Sequence, residues 1–267
     1  MVRDTQETHP GRLRQITGIL LRHGLGYVVG IVGLERFVPF HRGLLGHDRR
    51  ADPYTRPEHV RLALEELGTA FIKLGQILST RPDLVPPAYQ VELAKLQDAA
   101  PPVPIADIRA AIAAELGRPS DEIFVGFEET PLATGSIGQA HAATLHDGTE
   151  VVVKVRRPGV VEQVESDLAL LQNLAVRATR HWELAGRYDV VGLAQEFAQT
   201  LRAELDYVRE GRNAERFAAS FAGNADIHIP RVYWETTTAR VITLERIRGT
   251  KISDVGVPLR KLTPTDK

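Results

Sequence analysis

A short glycine-containing loop is the part of the sequence whose residue types and spacing are best suited to chemistry. Residues 133–140 read Ala-Thr-Gly-Ser-Ile-Gly-Gln-Ala, with Gly135 and Gly138 three apart. Glycines at such positions let backbone N–H groups approach phosphate oxygens without an intervening side chain. A tight turn between two strands would also contain them, so the loop alone leaves both interpretations open. The phosphate interpretation predicts nucleotide contacts from Ala133, Thr134, Gly135, Ser136, Ile137, Gly138 and Gln139.

A lysine follows this loop in a suitable place to add a positive charge. Lys154 comes directly after three valines and before Val155, a β-branched run that predicts a buried strand. The Asp147-Gly148 pair before the run predicts a tight hairpin turn. A lysine that projects beneath the loop would act as a point charge on the α and β phosphates of a nucleotide. A lysine on an exposed edge strand would have no such role, and the buried strand favours the phosphate site.

Such a lysine needs a carboxylate that holds it in position. Helical spacing of apolar residues from Val190 to about Phe221 predicts one helix, which contains Glu204, Asp206 and Glu210. Asp206 and Glu210 are four residues apart and would share a face of that helix. A solvated acidic stripe would have the same pattern, and the spacing does not choose among the three acids.

The type of predicted secondary structure changes near residue 120, from helices alone to a mixture of strands and helices. Helical spacing predicts helices over 57–81, 87–98, 104–116 (with Gly117 as the C-terminal cap), 160–181 and 190–221. Runs of β-branched and apolar residues predict strands over 123–127, 139–145, 150–155, 231–234 and 240–244. We therefore divide the chain into a leader (1–56), a helical extension (57–120), a lobe with a sheet (121–248) and a short terminal region (249–267).

The composition excludes several classes of function. The chain has 267 residues, no cysteine and a formal net charge of -1. Disulfides, thiolate metal sites and a cysteine nucleophile are therefore excluded, and no net field favours nucleic acid as a partner. The nine histidines are scattered, without the paired spacing of a metal site, so we predict no metal ligands.

The leader is basic and contains several glycines. Its most apolar stretch, Gly24 to Leu34, is eleven residues long, which is too short to span a bilayer. The flanking arginines are compatible with a peripheral contact on an anionic membrane surface. A loosely ordered leader that packs on its own domain explains the pattern equally well.

Three stretches resemble the UbiB, or aarF-domain-containing, family of atypical kinases. Residues 71–83 read Phe-Ile-Lys-Leu-Gly-Gln-Ile-Leu-Ser-Thr-Arg-Pro-Asp, similar to the K-x-G-Q signature of that family. Residues 133–141 resemble its alanine-rich nucleotide loop, and residues 204–213 resemble its E-x-D helix. The resemblance covers about residues 57–255. It departs from the family at Thr134-Gly135, where consecutive alanines are usual, so the nucleotide preference of the loop stays open.

The resemblance implies an α+β fold, the small lobe of a protein kinase. A twisted antiparallel sheet and one regulatory helix follow a helical K-x-G-Q extension, and the start of a large lobe falls at 249–267. It further implies that Glu210 pairs with Lys154 as the catalytic pair, and that the last strand leads to a hinge whose backbone contacts adenine near Glu245 and Ile247. The residues implied to regulate access are Lys73, Gly75 and Gln76, which face Glu204 and Asp206.

The function implied by the resemblance is that of an ATP-binding component of isoprenoid-quinone (ubiquinone) biosynthesis. ATP or ADP would be the cofactor, and lipid or quinone-pathway components would be partners in the cytoplasm or at a membrane surface. The family's catalytic-loop and D-F-G motifs, which hold Mg²⁺, do not occur in the sequence. We therefore expect a chain without the large lobe and without turnover. The alternative is a non-catalytic nucleotide-binding or interaction module.

Overall fold

A computed structural model describes residues 10–31, 55–96, 101–181 and 189–249, and these residues form the predicted α+β fold. Predicted features at residues 97–100 and 250–267 lie outside the described residues. The helices are α1 (Pro10–Arg22), α2 (Gly26–Ile31), α3 (Arg56–Leu67), α4 (Thr69–Ser79), α5 (Pro87–Leu93), α6 (Ile105–Leu116), α7 (Ser120–Ile123), α8 (Val160–His181), α9 (Val190–Glu204) and α10 (Tyr207–Ser220). The strands are β1 (Gly126–Phe127), β2 (Ala133–Thr134), β3 (Gly138–Thr144), β4 (Glu150–Arg156) and β5 (Val241–Glu245).

One antiparallel sheet organises the second half of the described chain. Its strand order is β1-β3-β4-β5, and the short β2 pairs with β3 beside the glycine loop. The predicted hairpin joins β3 to β4, where Gly148 takes a left-handed backbone conformation with φ +85°. In this register Lys154 lies opposite Ala140 on one side and Ile242 on the other. The central position of β4 explains why three of its valines, Val151, Val153 and Val155, are buried.

The two faces of the sheet are covered by different helices. Val151, Val153 and Val155 are fully buried on one face, in a core with Ile108 and Ile112 of α6. Because side chains alternate along a strand, Lys154 lies on the other face. That face is covered by α10, whose Tyr207 packs in a cluster with Ile242. The sheet thus places the lysine under a helix instead of in solvent.

A separate helical core is built by α1, α3, α4, α8 and α9. Leu13, Ile16 and Ile19 of α1 are buried in it with residues of the other helices. Residues 10–31 therefore pack on their own domain, as one of the two expectations had it, but they do so as two helices with inward apolar faces and not as a loosely ordered segment. Two arginines of this segment form ion pairs within the fold, Arg12 with the buried Asp167 and Arg22 with the partly exposed Glu66. Among the described helices, none is long and apolar enough to cross a bilayer.

Two predicted helices are each broken into two. The helix predicted over 57–81 is interrupted at Gly68, which has φ +98° and ψ -164°, a conformation open only to glycine. The helix predicted over 190–221 is interrupted at Asp206, whose side chain accepts a hydrogen bond from the Val208 N–H at 3.0 Å as the N-cap of α10. Apolar spacing continues across both breaks, which is why the sequence pattern did not reveal them.

Three other elements are shorter than predicted. The helix predicted over 87–98 ends at Leu93, and the strand predicted over 123–127 is a turn of helix followed by the two residues of β1. The strand predicted over 231–234 is reduced to one bridge between Val232 and Leu244, followed by a 3-10 turn over Trp234–Thr236. The two predicted strands thus pair with the sheet over only two residues and one residue, respectively.

Candidate functional site

A cavity of about 600 Å³ lies between the glycine loop, β4, α4, α9 and α10. Of the predicted nucleotide contacts, all but three border it, the exceptions being Thr134, Glu245 and Ile247. Its volume is within the range of about 300–1,000 Å³ typical of small-molecule sites. The fold therefore brings the loop and the lysine, predicted separately from the sequence, to a single site.

Lys154 and Glu210 form an ion pair inside this cavity. The Lys154 Nζ lies 2.7 Å and 2.8 Å from the two carboxylate oxygens of Glu210, in the first turn of α10. Both side chains are about one third exposed, and such a pair contributes only about 0–1 kcal/mol to folding. Its main effect is to fix the direction of the ammonium group beneath the loop. Among Glu204, Asp206 and Glu210, the structure selects Glu210.

Tyr207 forms the floor of the cavity and was not predicted as a site residue. Its ring centroid lies 5.1 Å from the Lys154 Nζ, within range of a cation–π contact. Burial raises the pKa of its phenol well above the ordinary value, so the hydroxyl stays protonated. The only signal in the sequence was its position directly after Glu204-Leu205-Asp206. Helical spacing alone does not reveal its contact with Lys154.

The glycine loop is a hairpin turn held at several points. The Gly135 N–H donates to the Gly138 carbonyl at 2.8 Å, and the Thr69 hydroxyl at the start of α4 donates to the Ser136 carbonyl at 3.3 Å. Ile137 is buried in the helical core. At Gly138 the need for glycine is steric, because a Cβ there would overlap the Tyr207 hydroxyl and lie 2.9 Å from the Val155 carbonyl oxygen.

Gln139 borders the cavity, but its side chain is used on the opposite face of the sheet. Its Oε1 accepts the Val103 N–H at 2.8 Å, and its amide nitrogen lies 2.8 Å from His141 Nε2. The His141 Nδ1 lies 2.8 Å from the Glu128 carbonyl. Because a carbonyl only accepts, Nδ1 carries the proton, and Nε2 accepts from Gln139. This buried network secures β3, and the side chain of Gln139 does not face a nucleotide.

The His141 network predicts a pH dependence of stability. Burial lowers the pKa of His141 below the value of about 6.5 of an unfolded chain. Below that pH the unfolded state binds a proton that the folded state does not, so the free energy of unfolding should fall from pH 7 towards pH 5. The slope from this group is at most about 1.4 kcal/mol per pH unit. Urea unfolding at several pH values should show a smaller slope for His141→Asn than for the exposed-site control His228→Asn. Equal slopes would contradict the assignment.

The residues implied to regulate access divide into two groups. Lys73 on α4 and Glu204 on α9 meet across the cavity, with Nζ and carboxylate oxygen 3.1 Å apart. Gln76 donates its amide to the Leu96 carbonyl at 3.1 Å. Gly75 is buried where α4 packs on neighbouring helices, and a Cβ there would overlap Leu96. With Asp206 serving as a helix cap, only Lys73 and Glu204 of this set border the cavity.

The two predicted adenine contacts lie at the end of β5, away from the cavity. The Glu245 carboxylate accepts the Arg231 N–H at 3.1 Å, which is the main reason that its pKa is lowered, and it also pairs with His228. Ile247 is half exposed. The described residues contain no group of three or more His, Cys, Asp or Glu side chains that could hold a metal ion.

The comparison with known families decides the affiliation of this chain. The sequence profile of the ABC1 atypical kinase-like domain matches residues 95–261. The chain belongs to the ABC1 atypical kinase-like family. The family profile begins after α5, so it covers the loop, Lys154 and Glu210 but not Lys73.

Relatives of this ABC1-family chain include proteins named probable protein kinase UbiB. The protein from Xylella fastidiosa is 38% identical over 247 residues, 92% of this chain and 45% of its own length. The protein from Marinobacter nauticus is 41% identical over 201 residues, 75% of this chain and 37% of its own length. The chain thus spans less than half the length of these curated relatives.

A solved structure supports the kinase-like fold of this family member. Rv3197 of Mycobacterium tuberculosis, determined as a complex with erythromycin, is 32% identical, with a TM-score of 0.52. The similarity covers 71% of this chain and 48% of Rv3197. Together with the family match, it confirms the predicted kinase-like α+β fold and the UbiB-type affiliation.

Proposed function

We propose that this chain binds an adenine nucleotide, ATP or ADP, as part of a UbiB-type atypical kinase linked to isoprenoid-quinone biosynthesis. The observation that carries the proposal is the Lys154–Glu210 pair, held on a buried strand beneath the glycine loop. The pathway link rests on the name of the relatives and on the motifs quoted above. Contact with lipids or with a membrane surface stays a prediction from the sequence.

The charges around the cavity suit a phosphate chain. Lys73, Lys154 and Arg209 border it together with two carboxylates, Glu204 and Glu210, so the cationic groups outnumber the anionic ones by one. A polyphosphate would complete the coordination of Lys154 while Glu210 keeps it in place. The ammonium group donates three hydrogen bonds, so it can bind Glu210 and a phosphate oxygen together.

We further propose that adenine lies along β4 towards the end of β5. Lys154 is opposite Ile242, and Val151 is opposite Glu245. Three residues of strand separate these positions, about 10 Å at ~3.3 Å per residue. A nucleotide with its phosphates at Lys154 would extend in this direction and bring its base near the main chain of Glu245 and Ile247.

Lys73 and Glu204 are proposed to control access to the phosphates. Their ion pair crosses from α4 to α9 at the cavity, and it places a helix of the N-terminal extension over the site. Larger acceptors such as a polypeptide would have to displace α4, whereas a nucleotide would not. This steric argument favours a small substrate over a protein.

A non-catalytic binding module is the second candidate, and one observation favours it. The two acidic side chains at the described cavity wall, Glu204 and Glu210, are both paired with lysines. ATP turnover by the purified chain that disappears in Lys154→Met would favour the enzyme. Saturable binding without turnover would favour the module.

The nucleotide proposal is tested by calorimetric titration of the chain with ATP and with ADP. Lys154→Met, which removes the charge and keeps the length, should weaken ATP binding by about tenfold, since one charge-assisted hydrogen bond is lost. Lys95→Met is the matched control, because Lys95 does not border the cavity and is 55% exposed. Failure of the unmodified chain to bind either nucleotide at millimolar concentration, or equal affinity in Lys154→Met, would overturn the proposal.

A further inference from the structure

Arg157, the first residue after β4, makes three hydrogen bonds that secure the glycine loop. Its Nε donates to the Gly135 carbonyl at 2.8 Å, and its backbone N–H donates to the Ile137 carbonyl at 2.9 Å. Its Nη2 donates to the Pro101 carbonyl at 2.7 Å, in the segment that precedes α6. A single residue therefore ties the turn of the loop to a separate part of the fold.

The position of Arg157 is behind the loop, outside the nucleotide cavity. It borders a second cleft with Pro158 and Asp107, whereas Gly135 and Ser136 border the nucleotide cavity. Ser136 is 5% exposed and borders both the nucleotide cavity and a cleft that Arg157 also lines. The guanidinium thus approaches the loop from the side opposite to the proposed phosphates.

The direction of its contact with Gly135 fixes the direction of the next amide. The peptide bond between Gly135 and Ser136 is planar and trans, so its C=O and its N–H point in opposite directions. Arg157 binds the carbonyl from behind, and the Ser136 N–H therefore points away from Arg157. A backbone N–H of a glycine-containing loop is a typical donor to phosphate oxygens.

The charge of Arg157 strengthens this arrangement. All three hydrogen bonds are donated to main-chain carbonyls, two of them by the guanidinium. Burial lowers the pKa of the guanidinium, but from an ordinary value so high that the group stays charged. A cation that binds the Gly135 carbonyl polarises the peptide and makes the Ser136 N–H a stronger donor.

We propose that Arg157 is a positioning residue of the nucleotide site: it orients the Gly135–Ser136 peptide so that the Ser136 N–H binds a phosphate group. This inference rests on the proposed nucleotide function and adds a residue that does not touch the nucleotide. It predicts an effect on the affinity for phosphates and none on the affinity for the nucleoside.

The test compares ligands that differ only in phosphate number. Dissociation constants for ATP, ADP, AMP and adenosine are measured by calorimetry for the unmodified chain, Arg157→Gln and Arg157→Lys. Arg157→Gln should weaken ATP and ADP by about tenfold and leave adenosine within twofold. Arg157→Lys should be intermediate, because an ammonium group can replace one of the two carbonyl contacts but lacks the forked geometry. Arg202→Gln, at an exposed ion pair with Glu165, is the control and should bind like the unmodified chain.

The outcomes separate this inference from the proposed function. Equal weakening of ATP and adenosine in Arg157→Gln would show a merely structural role, and unchanged ATP affinity would exclude any role; either result overturns the inference. Absence of nucleotide binding in the unmodified chain would overturn the proposed function as well.

Should Arg157→Gln fail to fold, the ¹⁵N-labelled serine amides of the unmodified chain provide the second measurement. The Ser136 amide resonance should shift on addition of ADP and not on addition of adenosine, and the absence of that difference would refute the inference.

Discussion

Replacing Arg12 by alanine is expected to lower the free energy of unfolding by about 3–5 kcal/mol, the cost of breaking a buried ion pair from one side. The Arg12 guanidinium binds both oxygens of Asp167, at 2.8 Å and 3.0 Å, and the carboxylate is 1% exposed. The same guanidinium donates to the Leu67 carbonyl at 2.6 Å. Truncation would leave a buried charge and a carbonyl without their donor, and the loss is therefore large.

Urea unfolding monitored by circular dichroism measures this effect, with Arg202→Ala as the matched control. Arg202 forms a similar two-bond pair with Glu165, but both side chains are more than 40% exposed. That control should lose no more than about 1 kcal/mol. A double variant with leucine at both Arg12 and Asp167 should recover much of the loss, because it removes the buried charge along with its partner. Equal losses in Arg12→Ala and Arg202→Ala would contradict the assignment.

The Arg12 contacts connect the N-terminal helices to the proposed nucleotide site. The Leu67 carbonyl lies at the end of α3, one residue before the Gly68 break, and α4 begins directly after it with Lys73 in its second turn. Arg12 therefore helps to fix the start of the helix that extends over the cavity. A variant at Arg12 that still folds should therefore also change the position of Lys73.

The parts of the site that could be predicted from the sequence depend on local patterns. Lys154 follows from a run of valines after a hairpin turn, and the loop follows from the spacing of two glycines. Both patterns are complete within about 25 residues. The register of β3 and β4 then brings the loop and Lys154 together. The choice of Glu210 over Asp206 came only from family resemblance, and the structure supports it with a direct contact.

The features that could not be predicted depend on contacts distant in sequence. The break at Asp206 is stabilised by Arg156, which donates to the Leu205 carbonyl at 2.6 Å, and by the Tyr207 N–H, which donates to the Ala239 carbonyl at 3.2 Å. The Gln139 side chain is directed away from the cavity by the Val103 main chain, 36 residues earlier. The spacing of apolar residues contains no information about such distant partners. A continuous helix and a glutamine that faces the cavity were therefore the natural expectations.

Alanine at position 138 is expected to disturb stability and nucleotide binding together. An added Cβ would overlap the Tyr207 hydroxyl and lie 2.9 Å from the Val155 carbonyl oxygen, in β4 at the centre of the sheet. Overpacking of this kind costs about 1–3 kcal/mol. Tyr207 is 3% exposed and its N–H is bound to Ala239, so the ring has little room to retreat. Any displacement is transmitted to Glu210, three residues further along α10, and so to Lys154.

Urea unfolding and calorimetric titration with ATP measure the two effects, and we expect a loss of affinity of at least about tenfold (~1.4 kcal/mol). Gly223→Ala is the matched control, since an added Cβ there meets no atom within 4 Å. The double variant Gly138→Ala/Tyr207→Phe tests the cause, because removal of the hydroxyl relieves the closer of the two contacts. Gly138 has no positive φ, so its backbone accepts alanine and the rescue should be substantial. A double variant no more stable than Gly138→Ala would assign the cost to the β4 carbonyl, and the nucleotide loop would then be constrained by the sheet instead of by the tyrosine beneath it.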